Sequence, residues 1–237
     1  MNTDRHPSAP PVTAIIVAGG TGSRFGADIP KQYCLLKGRP VLMHAIDAMR
    51  RAIPGARLAV VISREMEPLW HELCTKHRFD SPQVVYGGPT RWESVANALR
   101  ALGISADSTG IVAIHDGARP IPSPDMTRRV IDEAALHHGA IPATAVTDSL
   151  REIDPTARTS RPVDRSLYRA VQTPQAFPAG PIAEAYALPY DPAFTDDASV
   201  MMAAGYGDIV LVEGDPCNIK ITHPADIEIA GIMMRHR

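Results

Sequence analysis

The chain has 237 residues, with 24 Lys and Arg against 26 Asp and Glu, a formal charge of −2 with histidines neutral. Apolar residues make up 45% and charged residues 21%, the balance of a folded globular protein rather than a disordered chain. A near-neutral balance lacks the basic footprint of a general nucleic-acid binder, so any anionic ligand must be held by locally gathered Lys and Arg.

The three cysteines, Cys34, Cys74 and Cys217, are scattered and odd in number, which argues against a disulfide framework and for a reducing cytoplasm. Residues 1–11, MNTDRHPSAPP, have no apolar run of signal-peptide length and read as a short disordered tail. No later segment approaches the ~18 apolar residues that a membrane span needs. The expectation is one cytoplasmic domain over residues 12–237, with neither membrane nor nucleic acid as partner.

Short β-rich runs then alternate with helical periods. TAIIV (Thr13–Val17) is a continuous apolar run opening into glycines, as a buried parallel strand would. Val41, Leu42, Ala45, Ile46, Met49 and Ile53 recur at helical spacing. LAVVIS (58–63) reads as a strand, 65–77 as a helix, and 83–86 as a strand ending in Gly87 and Gly88. Thr90 with Glu93 three residues later makes a capping box for the next helix. Residues 110–114 form another strand. Ser123 and Pro124 then suit the N-cap and first turn of a helix reaching about His138, where two histidines would meet the helix dipole. IPATAV (141–146) is strand-like again. This alternation predicts a doubly wound parallel α/β sheet with ligands at the carboxyl ends of its strands.

Residues from about 147 to 169 break the pattern: the segment is polar, rich in arginine and without a helical stripe, and reads as a projecting β-arm. Order returns with helices near 182–188 and 196–204, the strand IVLVE (209–213), a short NIKIT strand (218–222) and a last helix from about Pro224.

The strongest local signal is AGGTGSRFGADIPKQY (18–33), directly after the first strand. Gly19, Gly20, Gly22 and Gly26 let the backbone turn tightly and bring N–H groups near a charged ligand. The loop is not a P-loop, having no Gly-Lys-Ser/Thr, and Gly20, Gly22 and Gly26 miss the dinucleotide spacing by one residue. It holds two cations, Arg24 and Lys31, which suit the polyphosphate of a nucleotide. HDGARP (115–120) closes the fourth strand, where an Asp can bind Mg²⁺ directly or through water, or accept from a ribose hydroxyl. Lys220, in the apolar NIKI run, should point into a site with anions. HELCTKH lacks a histidine at Thr75 for the zinc pattern, and Trp70 and Trp92 suit a core.

These stretches, with VQTPQAF, TDDAS and NIKIT in the same order, resemble the sugar-alcohol-phosphate cytidylyltransferases from Val12 onward. The resemblance implies a three-layer doubly wound, Rossmann-like nucleotidyltransferase sandwich. It implies CTP and a polyol phosphate as substrates, Mg²⁺ as cofactor, and a homodimer with exchanged arms. Methylerythritol 4-phosphate is the polyol it favours, for isoprenoid synthesis, and ribitol 5-phosphate the alternative. A non-catalytic nucleotide-binding regulator and a sugar uridylyl- or guanylyltransferase are the remaining readings. By resemblance Arg24 and Lys31 stabilise the transition state, while Arg165 and Lys220 position the incoming phosphate. Ala18, Gly19, Gly20, Gly22, Gly88 and Ser94 hold the nucleotide, with Asp116 and Gly117 on its ribose side. Arg119, Ser149, Thr173 and Thr195 line the polyol pocket, and Ser149 and Arg165 serve the partner's site. Two departures stand out: Pro89, with no N–H to donate, replaces an acidic residue, and Cys217 precedes NIK.

Overall fold

The structure, a computed structural model, describes residues 10–20 and 29–235. Of the expected tail, residues 1–9 lie outside that range, but Pro11 already accepts a hydrogen bond from the Ile111 N–H at 2.9 Å.

The chain opens with β1 (Val12–Val17), a minimal ladder of β2 (Leu35–Leu36) and β3 (Arg39–Pro40), then α1 (Val41–Ala52). Next come β4 (Arg57–Ile62), α2 (Glu67–His77), β5 (Gln83–Tyr86), α3 (Arg91–Ala101) and β6 (Ile111–Asp116). The expected capping box is present: Glu93 N–H donates to Thr90 Oγ1 at 3.1 Å, and Thr90 N–H to Glu93 Oε2 at 2.8 Å. After α4 (Pro124–Ala134) and β7 (Gly139–Ala145) the chain leaves the core as the hairpin β8 (Arg151–Asp154) and β9 (Thr159–Pro162). It returns as β10 (Arg169–Val171) and β11 (Gln175–Pro178), and closes with α5 (Ala179–Ala185), α6 (Asp197–Ala203), β12 (Ile209–Glu213) and α7 (Ala225–Met233).

Strand alternation sorts the core into two layers. Ala14 and Ile16 of β1 pack toward α1, α2 and α4, where Leu42, Ile46, Trp70 and Val130 are buried. Ile15 faces the other way, toward Val95 and Leu99 of α3, Ile182 of α5 and Met201 of α6. The chain steps outward from β1 to β4 and β5, all parallel, then returns to pair β6 on the other side of β1. That reversal is the topological switch point of a doubly wound sheet, the place where such sheets bind ligands in a crevice beyond the carboxyl ends of the strands, here β1 and β6.

Three expectations need correction. The sheet is not wholly parallel: β11 runs antiparallel between β6 and β7, and β10 antiparallel to β7. Val171 pairs with Ala143 but Ala176 with Ala140, so two extra residues enter the ladder between β10 and β11, a bulge that re-aims Gln172 and Thr173. The fourth helix ends at Ala134, short of His138, because the chain must turn to enter β7 at Gly139, where the Phe177 ring leaves no room for a Cβ. His137 pairs with Asp208 at 2.9 Å instead of capping a dipole. NIKIT forms no strand. Its backbone is held by scattered bonds instead of a ladder, among them Ile221 N–H on Ala118 O at 2.9 Å, beside the fully buried Asn218.

His115, fully buried on β6, fastens the loop that follows. One ring nitrogen meets Arg119 O at 2.9 Å and the other the Thr173 hydroxyl at 3.0 Å. Burial disfavours the imidazolium and lowers its pKa to about 4. The unfolded chain, with His near 6.5, therefore binds the extra proton between those values. Stability contributed by the neutral ring is present above about pH 6.5 and lost as pH falls toward 4, by on the order of 2–3 kcal/mol. Urea midpoints should drop over this window for the wild type, and the slope should flatten in His115→Gln.

Candidate active site

β1 delivers the glycine loop to the crevice. Ala18 N–H still bonds Val61 O at 2.7 Å, and the buried Gln32 side chain donates to Ala18 O at 2.7 Å and Gly20 O at 2.9 Å. Gln32 sits in the 3-10 turn Lys31–Tyr33, whose Gln32 and Tyr33 are buried, so the turn carrying the half-buried Lys31 is anchored from below. One side chain thus ties together the entry and exit of the loop. Gly22 and Arg24 lie outside the described residues.

On the β5 side, Gly87 N–H continues the ladder onto Ile62 O at 2.9 Å. The buried Ser94 hydroxyl lies 3.1 Å from Gly88 N and 2.9 Å from Thr90 O. A Cβ on Gly87 would come within 2.7 Å of Ser94 Oγ, and one on Gly88 within 2.4 Å of Glu93 Cβ. The glycine pair is therefore required by the close approach of the turn to α3, and the serine hydroxyl holds the turn's backbone.

β6 ends in Asp116, 8% exposed, with Gly117 behind it donating to Val17 O at 2.8 Å. Three cations converge on this carboxylate. Lys220 Nζ reaches Oδ2 at 2.7 Å, Arg91 Nε reaches Oδ1 at 3.4 Å, and Arg119 Nε stands 4.0 Å from Oδ2. Burial alone would push the carboxyl up. The Arg91, Lys220 and Arg119 charges outweigh it and hold Asp116 well below the usual carboxylate range.

The polar groups around it are bound to one another. Asp116 N–H donates to the buried Thr173 Oγ1 at 3.0 Å. Arg119 donates through Nη1 to Asn218 O at 2.6 Å and through Nη2 to Val171 O at 3.3 Å, while its buried Nε has no hydrogen-bond partner among the described residues. Burial lowers the Arg119 pKa, partly offset by Asp116. Asn218 Nδ2 donates to Thr173 O at 2.8 Å and fixes the bulge to the segment bearing Lys220.

Of the residues expected at the site, Ala18, Gly19, Gly20, Lys31, Gly88, Gly117, Arg119, Thr173 and Lys220 lie on loops and turns around the carboxyl ends of β1, β5 and β6, while Ser94 sits in the first turn of α3 and Asp116 ends β6. Thr195 is exposed just ahead of α6, with its N–H on Ser199 Oγ at 3.1 Å. Ser149 and Arg165 are exposed on the arm, where Arg165 donates to Thr147 O. No described hydrogen bond or ion pair joins either of these two to the Asp116 cluster.

Sequence reasoning passed over Arg91, Asp197, Gln32 and Gln175. Arg91 opens α3, and its two terminal nitrogens each lie 2.7 Å from an oxygen of Asp197, which is fully buried at the start of α6. Gln175 Oε1 accepts from Asp197 N–H at 3.0 Å and Ala198 N–H at 3.2 Å. The available signals were an Arg directly after a capping Thr and the doubled Asp of TDDAS.

A site of this kind, glycine loop and clustered cations at a switch point, is built for a polyanion. The family profile described as 2-C-methyl-D-erythritol 4-phosphate cytidylyltransferase (IspD) matches residues 12–236. The chain is 40% identical over 223 residues to the Bacteroides fragilis protein of that name, covering 94% of this chain and 99% of that one. It superposes on the Thermus thermophilus enzyme of the same name with TM-score 0.72 and 31% identity, over 94% and 98% of the two chains. Against 4-diphosphocytidyl-2C-methyl-D-erythritol synthase from Anaerococcus prevotii the TM-score is 0.78 at 27% identity, over 95% and 96%. With the match running nearly end to end, the chain belongs to the 2-C-methyl-D-erythritol 4-phosphate cytidylyltransferase family.

Proposed function

We propose that the protein joins CTP to 2-C-methyl-D-erythritol 4-phosphate, giving 4-diphosphocytidyl-2-C-methyl-D-erythritol and pyrophosphate, a step of isoprenoid synthesis. A phosphate oxygen of the polyol attacks the α-phosphorus of CTP. The bond from that phosphorus to the bridging oxygen breaks, and pyrophosphate leaves with the electron pair. The nucleophile is already an anion, so the barrier lies in bringing it against a triphosphate. Positioning and charge neutralisation are the chemistry required. The observation that carries this reading is the cluster of Lys220, Arg119 and Arg91 on Asp116 at the β1–β6 crevice.

In this reading Arg24 and Lys31 gather the triphosphate over the glycine loop, with Gly22 contributing backbone to that loop, and meet the charge that develops at the α-phosphorus. Lys220 takes the incoming phosphate, Arg119 and Thr173 face the polyol, and Thr195 borders it. Ser94 acts by shaping the Gly87–Gly88 turn against which the base packs, and Pro89 leaves that turn one backbone donor short.

Among the described residues no three His, Cys, Asp or Glu side chains gather to cage a metal ion. Asp116 is the carboxylate that would hold Mg²⁺, directly or through water, together with phosphate oxygens of the substrate. Bound there, Mg²⁺ would neutralise part of the triphosphate charge.

The exposure of the arm supports reading the protein as a homodimer. Every residue of β8 and β9 is exposed, and an isolated two-stranded hairpin is marginal in water. Ile153, Leu167 and Tyr168 are 72%, 81% and 46% exposed along it. A homodimer with exchanged arms would cover these residues and carry Ser149 and Arg165 to the neighbour's crevice. The three unpaired cysteines suit a reducing cytoplasm.

A coupled pyrophosphate assay should show turnover with CTP and methylerythritol phosphate, and far less with ribitol 5-phosphate, UTP or GTP. Silence with methylerythritol phosphate would sink the proposal. Lys31→Ala should lower kcat roughly 10²–10³-fold, the scale of one lost preorganised charge partner. Light scattering should give twice the 25.5 kDa chain mass, and Leu167→Asp should shift the population toward monomer.

A further inference from the structure

Two helix N-termini meet above Asp116, and a single ion pair joins them. Arg91 is fixed as the first residue of α3 by the Thr90–Glu93 box. Asp197 is fixed as the first residue of α6 by a second box between Asp196 and Ser199. Asp197 is fully buried. Its two oxygens receive Arg91 Nη1 and Nη2 at 2.7 Å each, and Oδ1 also accepts the hydroxyl of the buried Tyr186 at 2.6 Å. A planar guanidinium gripped along that edge has its orientation set, and Nε is the donor left to face Asp116 Oδ1 at 3.4 Å.

The opposite oxygen has different company. Oδ2 carries Lys220 and abuts Arg119, and Thr173 receives the Asp116 N–H. These are the three groups that the proposed function gives to the incoming polyol phosphate. Asp116 therefore fronts that substrate with Oδ2, while Arg91 restrains it from behind through Oδ1.

Resting on that proposed function, we infer that Arg91, locked by Asp197, is a positioning residue that sets polyol specificity. It fixes the Asp116 carboxylate so that one defined acceptor meets a hydroxyl of the methylerythritol chain. A buried acceptor held in one direction discriminates among hydroxyl configurations, whereas a freely rotating carboxylate accommodates several. Lysine cannot replace the arginine here, because one ammonium point charge does not span Asp197 and Asp116 with fixed geometry.

The test compares Arg91→Lys with Tyr186→Phe, which removes the outer bond on Asp197 but leaves the guanidinium in place. Arg91→Lys should raise KM for methylerythritol phosphate roughly tenfold, the scale of one misaligned hydrogen bond. KM for CTP should stay within about twofold, and the preference over ribitol 5-phosphate should shrink by a similar factor. Tyr186→Phe should lower Tm yet leave both KM values and the preference unchanged. If Arg91→Lys is not recovered folded, Asp197→Glu, which displaces the guanidinium while keeping its charge partner, gives the same readout. The inference fails if both KM values rise together, if the loss falls on CTP against dCTP, or if Tm alone changes. Wild-type inactivity toward methylerythritol phosphate would instead overturn the proposed function itself.

Discussion

The structure depends on a carboxylate placed at the end of a fully buried strand. Every residue of β6 is buried, and Asp116 is the point at which that strand meets the crevice. Burying an ionised carboxylate alone is prohibitive. The chain gathers Arg91, Arg119 and Lys220 around it from three separate segments. Those cations cannot crowd together without Asp116, and Asp116 cannot stay charged without them. The need to satisfy this anion thus gathers positive charge at the carboxyl end of β6 in advance of any ligand.

The same economy runs through the neighbouring loops. Arg119 is nearly buried and spends two of its nitrogens on main-chain carbonyls, so its guanidinium is held before any substrate arrives. Gln32 clamps both ends of the glycine loop, and His115, kept neutral by burial, ties the loop after β6 to Thr173. Buried polar groups of this kind rigidify a site when each has a partner. Two atoms of this network lack a hydrogen-bond partner among the described residues: Asn218 Oδ1, and Arg119 Nε, which stands 4.0 Å from Asp116 on the side assigned to the polyol. A nearly neutral protein can therefore bind two anions, because its charge is organised locally and not carried as a net excess.

Much of this architecture was legible in the sequence wherever a local rule had one outcome. The apolar run into glycines gave β1, Thr90 with Glu93 gave the start of α3, and Ser123–Pro124 that of α4. What escaped depends on distant partners. VQTPQAF reads as neither an alternating nor a continuous strand, because its two halves meet β7 on either side of a bulge, and only the second half also pairs with β6. NIKIT has β-like composition but finds no strand edge to join, and Ile221 settles for one bond to Ala118. Arg91 looked like an ordinary first-turn helix residue. Its role comes from Asp197, 106 positions later, and no local pattern encodes that meeting. Lys220 was readable for the opposite reason: an ammonium in an apolar run needs an anion, and Asp116 is that anion.

The arm extends the argument from one chain to two. Within the core, each polar group of the site is braced by another element of the same chain. Ser149 and Arg165 have no such bracing: they flank a hairpin with no buried face, and Leu167 and Tyr168 beside Arg165 are exposed to solvent. A segment that buries nothing gains little by folding alone. An apolar strip beside a polar hairpin gives it a reason to order against a matching surface, and self-complementary pairing is the commonest solution for such strips. In the proposed homodimer the last cation of the site would be supplied only when two chains meet, which would couple completion of the charge cluster to assembly.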